Sequence, residues 1–513
     1  MNTNPGSQDL PASEQSGVEA AAPRRSVLAR ICSRHLMNVA LLALLPVLMT
    51  QALRTNTEMV RDPDVWWHLA NARILVSTHH FIRVEPYAFT VVGEPWMDPE
   101  WLAEVPLWAA YKAFHLSGLW VSTWLLLSGN TIAVYWRCWW RTRQAGAAFW
   151  CAAVGFLLMT VNAGPRTILF GYLCLSAELA ILDAAEQGGE RLLWLLPPLF
   201  LVWVNLHGSW LIGLSLLGAY LLGSGFGFSA GSLEQAKPGP GTVRRWVLVF
   251  VATVAALLVN PYGWRLVLYP FDMLMNQQLN VAVVEEWQPM QLGSAVGRVA
   301  MGCLVAMVVA NLVRGRKWKL FEIVFLLFAW YAAFSHMRFA VLAAVIAMPY
   351  LTVDLVRSFS VETGGQATIP AMNALMAAGS LAVILYIFPG EAALQQGFRA
   401  DFPMETIRSL DPRWRTFNAA NLGGVMALES KPDYIDARMD TFEHHGVVAK
   451  YMEAIQIVRP LEVLQEDGID HVLFAAHTPL IYTLERTPGW AVVTREGRGD
   501  DSYVLMARGQ AGR

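Results

Sequence analysis

Charge is scarce in this chain: 15% of its 513 residues are Asp, Glu, Lys or Arg, while 55% are hydrophobic. That balance and a mean hydropathy of +0.38 exclude a soluble enzyme of two or three domains and describe a polytopic membrane protein. Cysteine is scarce too. Cys32, Cys138, Cys151, Cys174 and Cys303 lie in or beside apolar segments and form no CxxC pair, which excludes a disulfide framework and a zinc site. The net charge is −2, and no Lys/Arg cluster comes with an aromatic stacking platform, so nucleic acid is an unsupported partner. No GxGxxG or GxxxxGK[ST] precedes a helix on the inner side, which argues against a nucleotide donor or an ATP-driven pump. No small-residue cleavage site clearly follows the first apolar run, which therefore reads as a retained anchor.

What the chain has instead is a succession of long apolar runs. A span needs about 20 mostly apolar residues, which gives about eleven, near 36–53, 117–135, 145–161, 167–183, 192–206, 209–227, 246–260, 298–313, 320–335, 338–356 and 371–388. Residues 1–35 read as a cytoplasmic tail, disordered because it is rich in Ser, Glu, Gln, Ala and Pro, and residues 36–388 as the transmembrane domain. Residues 389–513 alternate short β-like runs with helical patterns and read as a small α/β domain.

Basic residues set the orientation. Arg24, Arg25, Arg30 and Arg34 precede the first span and place the N-terminus inside. Alternation then puts Arg137, Arg141, Arg143, Arg191, Lys237, Arg244, Arg245, Arg314, Arg316, Lys317, Lys319 and Arg357 on that same side. The chemically distinctive motifs fall on the other side with the C-terminal domain: the loop 54–116, Gly164-Pro165-Arg166, Asn205-Leu206-His207-Gly208, Asn260-Pro261-Tyr262-Gly263, Glu285-Glu286-Trp287 and Ser335-His336-Met337-Arg338.

The first outer loop is the densest of these. Asp62-Pro63-Asp64 and Asp98-Pro99-Glu100 both carry an acid and a proline where a helix starts, with tryptophans close behind. The pattern predicts two amphipathic helices lying on the membrane surface with Trp at the interface. Asp64 and His68, four apart, share a face, so His68 reads as a partner of Asp64 or as a base. Acids gathered where a chain leaves the bilayer point to binding or catalysis, although Asp62 and Asp98 also suit plain helix caps. Asp62 and Asp64 with His68 are a candidate divalent-metal site, for Mg or Mn. Arg166, Arg265 and Arg338, with His207 and His336, fall at outer span ends and are candidate phosphate contacts; snorkelling to lipid headgroups is their structural alternative. Asp436, Arg438 and Asp440 read as a solvated strand edge or as acceptor contacts.

These residues resemble the GT-C superfamily of membrane glycosyltransferases, and in particular uncharacterised bacterial relatives of the dolichyl-phosphate-mannose protein mannosyltransferases. The resemblance rests on Asp62-x-Asp64-x-x-Trp67-His68-Leu69, Gly93-x-x-Trp96, Glu100-Trp101-Leu102, Pro165-Arg166, Val204-Asn205-Leu206-His207-Gly208, Asn260-Pro261-Tyr262-Gly263 and Glu286-Trp287. It extends to Arg415-Thr416-Phe417-Asn418, Gly423-Gly424 and Tyr434-Ile435-Asp436-Ala437-Arg438. Better-known members read Asp-Glu followed by a Tyr pair where this chain has Asp-Pro-Asp and a Trp pair. The resemblance implies a catalytic carboxylate at Asp62 or Asp64, supported by His68 and Glu100. It implies an inverting transfer of a sugar from a polyprenyl-phosphate donor to a protein, lipid or glycan acceptor at the outer face of the inner membrane. The alternatives are a transporter or lipid-handling protein, whose ionisable groups would sit near span midplanes, and a catalytically degenerate scaffold.

Overall fold

The computed structural model describes residues 33–52, 62–276, 284–359, 369–497 and 502–509, with Leu279, Ala282 and Gly499. The tail at 1–32 and the loop positions 54–61 lie outside the described residues.

Backbone that enters a bilayer must satisfy its own N–H and C=O groups, and the apolar runs do so as helices. In chain order these are α1 (Arg34–Ala52), α2 (Asp64–Thr78), α3 (Trp101–Thr142), α4 (Ala145–Met159), α5 (Ile168–Glu186), α6 (Leu196–Leu206) and α7 (Trp210–Ser224). A hairpin of β1 (Phe228–Ala230) and β2 (Leu233–Gln235) precedes α8 (Pro240–Ala256), α9 (Trp264–Asn276), α10 (Ala295–Val313) and α11 (Leu320–Ser335). α12 runs over Met337–Ser358 with a π-helical stretch at Ala343–Ala347, and α13 is Pro370–Ile387.

Among the described residues, five stretches are long and apolar enough to cross a membrane: Ala145–Asn162, Ile168–Glu186, Ala295–Val313, Met337–Ser358 and Pro370–Ile387. Arg34–Thr50, Trp210–Ser224 and Leu320–Ser335 are apolar but shorter. Helix length alone thus supports fewer spans than the eleven read from hydropathy. The 11 residues of α6, for instance, rise only about 16 Å against the roughly 30 Å of a bilayer core. Leu312, Leu385 and Tyr386 stay largely exposed on α10 and α13, as side chains facing lipid do.

α3 contains a break. His115 has φ 50° and ψ −134°, and Gly118 is packed so closely behind it that a Cβ would stand 2.1 Å from Ala110 O. The freed backbone is capped from a distance: Glu391 accepts from Ser117 N and Ser117 Oγ, both at 2.8 Å. The half of α3 before the break belongs to the first outer loop, and the half after it reads as a span.

α2 departs from the expected surface-lying helix. Val65 through Ala72 are all buried, and Trp66 and Trp67 sit inside protein rather than at a lipid interface. The cover comes from the C-terminal segment. There, α14 (Glu391–Asp401), α15 (Met404–Ser409), α16 (Ala420–Leu428), α17 (Met439–Glu443), α18 (Val447–Ile455), α19 (Pro460–Glu466) and α20 (Pro479–Leu484) surround a four-stranded sheet. Its order is β3-β4-β6-β5, with β3 (Thr416–Asn418) parallel to β4 (His471–Ala475) and β6 (Tyr503–Arg508) antiparallel to both β4 and β5 (Trp490–Glu496). α16 lies on the start of α2, where a Cβ on Gly424 would meet Pro63 O at 2.8 Å and Trp66 Cβ at 3.2 Å. Leu422, Val425 and Met426 join the bundle core there, while Phe417, Tyr434, Tyr451 and Phe474 form a second core within the C-terminal segment.

Candidate active site

The two Asp-Pro motifs fold alike. Asp62 Oδ1 accepts the Asp64 N–H at 3.0 Å and Asp98 Oδ1 accepts the Glu100 N–H at 3.2 Å, so each aspartate closes a turn at the entry to a helix while holding the next acid in place. Asp64 and Glu100 are thereby turned into one cavity of about 480 Å³, bounded by the ends of α2, α3 and α5, the turn at His207, residues 284–287, Arg338, and residues 420–421 and 437–440 of the C-terminal segment.

Arg166 is held between two acids, ion-paired to Asp62 through Nε and to Glu286 through Nη1. Burial opposes its charge, but Asp62, Glu286 and Asp64 outweigh that and keep it firmly protonated. Asp64 is different. Burial first, and then the charge of Asp62, raise its carboxyl to about 7, and among the described residues its side-chain donor is Trp67 Nε1 at 3.4 Å. Glu100 accepts from Thr167 Oγ1, lies 3.3 Å from His207 Nε2 and 3.5 Å from His68 Nε2, and is pushed up to about 8, chiefly by burial and then by Asp98 and Asp64.

Behind these groups stand partners that the sequence reading missed. His68 Nδ1 contacts Glu104 Oε1 at 2.7 Å, not Asp64, and Asn71 Nδ2 donates to the same oxygen at 3.3 Å. Burial, aided by His207 and Arg438, lowers the His68 pKa well below its ordinary value, while burial and Asp98 raise that of Glu104. The signal was present: Glu104 is a lone acid in an apolar helix, one turn beyond Glu100.

Arg438, Asp436 and Glu85 form the other unforeseen cluster. They are buried, not a solvated strand edge: Arg438 Nη1 donates to Glu85 Oε2 at 2.7 Å, and Nε donates to both Asp436 oxygens at 3.0 Å. The guanidinium also lies 4.7 Å from the Trp96 ring centre. This triad joins the C-terminal segment to the first outer loop. Asp440 lines the cavity and accepts from Tyr269 OH at 2.6 Å.

The candidate phosphate contacts divide. Arg338 lines the cavity 4.3 Å over the Trp287 ring, and its buried Nε has no hydrogen-bond partner among the described residues. His207 lines it as well, but its Nδ1 accepts from Ser209 N at 2.9 Å, so its proton sits on Nε2 and faces Glu100. Burial and then Arg338 lower its pKa to about 3, which favours the neutral ring in this arrangement. His336 is outside the lining and contacts Trp287 O at 2.6 Å through Nδ1. Arg265 is exposed beside Trp264, away from the cavity. Asn260 and Tyr262 act as a turn and buttress: Tyr262 OH donates to Ile82 O at 3.0 Å and accepts from Asp98 N at 3.2 Å.

A divalent ion does not fit the aspartate pair in this arrangement. Asp62 already spends one oxygen on Arg166 and the other on the Asp64 N–H. Among the described residues no group of three or more His, Cys, Asp or Glu is placed to hold a metal.

No family profile and no curated protein sequence matches the chain. Solved structures do. An oligosaccharyltransferase from Archaeoglobus fulgidus, tethered with an acceptor peptide containing the NVT sequon, superposes with a TM-score of 0.52 at 11% identity, over 87% of this chain and 70% of that one. ArnT from Cupriavidus metallidurans in its apo state superposes with a TM-score of 0.51 at 15% identity, over 90% and 96%. The chain shares the fold of these two solved structures. Five of the described helical stretches are long and apolar enough to cross a membrane, and on this fold the motifs picked out in the sequence have distinct places. Asp64, Glu100, Arg166 and Glu286 line one cavity with Asp62 paired to Arg166 behind it, Asn205 accepts from Trp101 Nε1 at 2.9 Å to brace the first half of α3, and Gly423-Gly424 let α16 approach α2. Identities of 11% and 15% carry the fold and not the substrate.

Proposed function

We propose that this chain is an inverting glycosyltransferase, moving a sugar from a polyprenyl-phosphate donor to an acceptor at the outer face of the plasma (inner) membrane. The N-terminus is cytoplasmic and the C-terminal segment extracytoplasmic in this reading, with about eleven spans, the shorter ones being incomplete crossings. The carrying observation is one cavity that holds Arg338, which has no ion pair among the described residues, together with a carboxyl poised near neutrality, Asp64.

Attack by an acceptor hydroxyl requires a base that is ionised at working pH yet still basic, and a carboxyl near 7 meets both conditions better than an ordinary aspartate. The acceptor proton passes to Asp64, the acceptor oxygen bonds to the anomeric carbon from the face opposite the leaving group, and the bond from that carbon to the phosphate oxygen breaks. Polyprenyl phosphate departs with the electron pair. Arg338 supplies the charge that meets the departing phosphate, because Arg166 is already matched by Asp62 and Glu286. Asp62 is a positioning residue that fixes both Arg166 and the start of α2. Glu100 and His68 maintain the proton inventory beside Asp64. The aromatic walls, Trp67, Trp96, Tyr269 and Trp287, suit the apolar faces of a sugar or an isoprenoid.

The test is transfer of a radiolabelled sugar from polyprenyl phosphate in proteoliposomes. Asp64→Asn is expected to cut turnover by roughly 10²- to 10⁴-fold while leaving donor binding intact, and Arg338→Gln to weaken donor binding. Full turnover in Asp64→Asn would remove the base from this scheme.

A further inference from the structure

α9, a helix of 13 residues, has three different sides. Trp264, Leu268, Phe271 and Met275, spaced four, three and four apart, make one stripe, and all four are exposed. Arg265, Asp272 and Asn276 follow one edge of that stripe, and Arg265 and Asn276 are exposed too. The opposite side faces protein. Leu266 is buried, and Tyr269 and Met273 line the cavity that holds Asp64 and Glu100. Four large apolar side chains in register on an open helix face call for a cover.

The neighbours of α9 say what that cover is. α8, which leads into α9 through the turn at 260–263, carries an exposed apolar row of its own, Val247, Val251, Val254 and Leu258. The stripe therefore continues an apolar surface instead of standing alone. On its polar edge the C-terminal segment takes hold: Tyr269 OH donates to Asp440 Oδ2 at 2.6 Å, and His444 Nε2 contacts Asp272 Oδ2 at 2.8 Å. That segment thus sits on the polar side of the helix and leaves the apolar stripe open. The Arg265 guanidinium lies 5.9 Å from the Trp264 ring centre, a basic and aromatic pair of the kind that anchors helices at a lipid–water boundary.

We propose that α9 lies in the plane of the membrane, with Trp264, Leu268, Phe271 and Met275 sunk in the acyl boundary of the cavity-side leaflet and Arg265, Asp272 and Asn276 at the headgroups. A helix with its side chains is about 10–12 Å across. That thickness then parts the acyl chains from Tyr269 and Met273, and it sets the cavity at the depth of the lipid headgroups. The inference rests on the membrane placement proposed above and not on the transfer chemistry.

Nitroxide labels read the contact directly in the full-length protein held in phosphatidylcholine nanodiscs. Labels are placed one at a time through Leu268→Cys, Met275→Cys, Asn276→Cys and, as a reference on α13, Leu385→Cys, all at exposed positions. Cys32→Ser is the background, since Cys138, Cys151, Cys174 and Cys303 are buried. Molecular oxygen concentrates among acyl chains, whereas a nickel chelate stays in water. The ratio of oxygen to nickel accessibility at 268 and 275 is expected to approach that at 385 and to exceed that at 276. Labels at 268 and 275 that nickel reaches as readily as the label at 276 would put the stripe in water, and labels that neither reagent reaches would put it under protein, a second copy included. Either result overturns the proposal. A label at 385 that reports water would remove the membrane placement itself, and this inference with it.

Discussion

Two aspartates two residues apart sit in different electrostatic surroundings. Asp62 faces a guanidinium and a backbone N–H, whereas Asp64 faces the cavity with a single long contact to Trp67 Nε1. The difference predicts a pH profile. With Asp64 raised to about 7, kcat/KM for sugar transfer should climb through that value and level off above it, measured as initial rates in proteoliposomes across the neutral range. Loss of a positioned base costs roughly 10²- to 10⁴-fold in general acid–base catalysis, which is the drop expected for Asp64→Asn. Asp62→Asn should act differently: it leaves Arg166 matched by Glu286 alone, and a rise in donor KM is expected alongside the fall in kcat.

The largest penalty at the residue scale belongs to Arg438. Removing the guanidinium with Arg438→Met would leave Asp436 and Glu85 buried and unpaired, at a cost of about 3–5 kcal/mol in stability. Chemical denaturation of the detergent-solubilised protein measures it, and Glu85→Gln/Asp436→Asn in the same background should recover most of the loss. The sequence offered Asp436 and Arg438 only as a solvated strand edge or as acceptor contacts, and nothing in it named Glu85, 353 positions away from Arg438 along the chain.

Helices in this fold are positioned by contacts that admit no side chain. α16 reaches α2 because Gly424 lacks a Cβ, so Gly424→Val should force the two apart and cost about 1–3 kcal/mol, with new protease sensitivity between 410 and 440 as the readout. The Gly423-Gly424 pair was visible as a motif; its partner at Pro63 and Trp66 was not. α3 makes the reverse case. Its outer and spanning halves were expected as separate elements, and the break at His115 stands just ahead of the span start read at 117. The cap on that break, Glu391, comes from the far end of the chain, and Glu391→Ala should cost about 1 kcal/mol, visible as a lower Tm.

For the whole molecule, the buried acids tie stability to pH. Glu100 and Asp64 have folded-state pKa values raised to about 8 and about 7, so the native state holds protons that the unfolded chain releases. Stability from these groups is therefore full at low pH, below the ordinary carboxylate range, and is lost as pH rises through about 7 and about 8. Glu100→Gln should flatten the fall of Tm between those limits, and an unchanged slope would show that Glu100 is not held neutral. The bundle core and the C-terminal segment also share Leu422, Val425 and Met426, so residues 389–513 produced alone should expose that apolar face and aggregate.

Composition determined by itself that the chain lives in a membrane as helices, because apolar backbone has no other way to satisfy its polar groups there. The repeated Asp-Pro-acid motif likewise determined where two helices start and which acids they present, since such a turn is a local affair. What only the tertiary structure decided is which charges cancel. Arg166, Arg338 and Arg265 are alike as sequence, yet one is clamped by two acids, one lines the cavity with a nitrogen that has no partner among the described residues, and one lies exposed beside Trp264. Electrostatic pairing depends on distances of a few ångströms between residues hundreds of positions apart, and those distances are set by helix packing and by a C-terminal cover that no local pattern encodes.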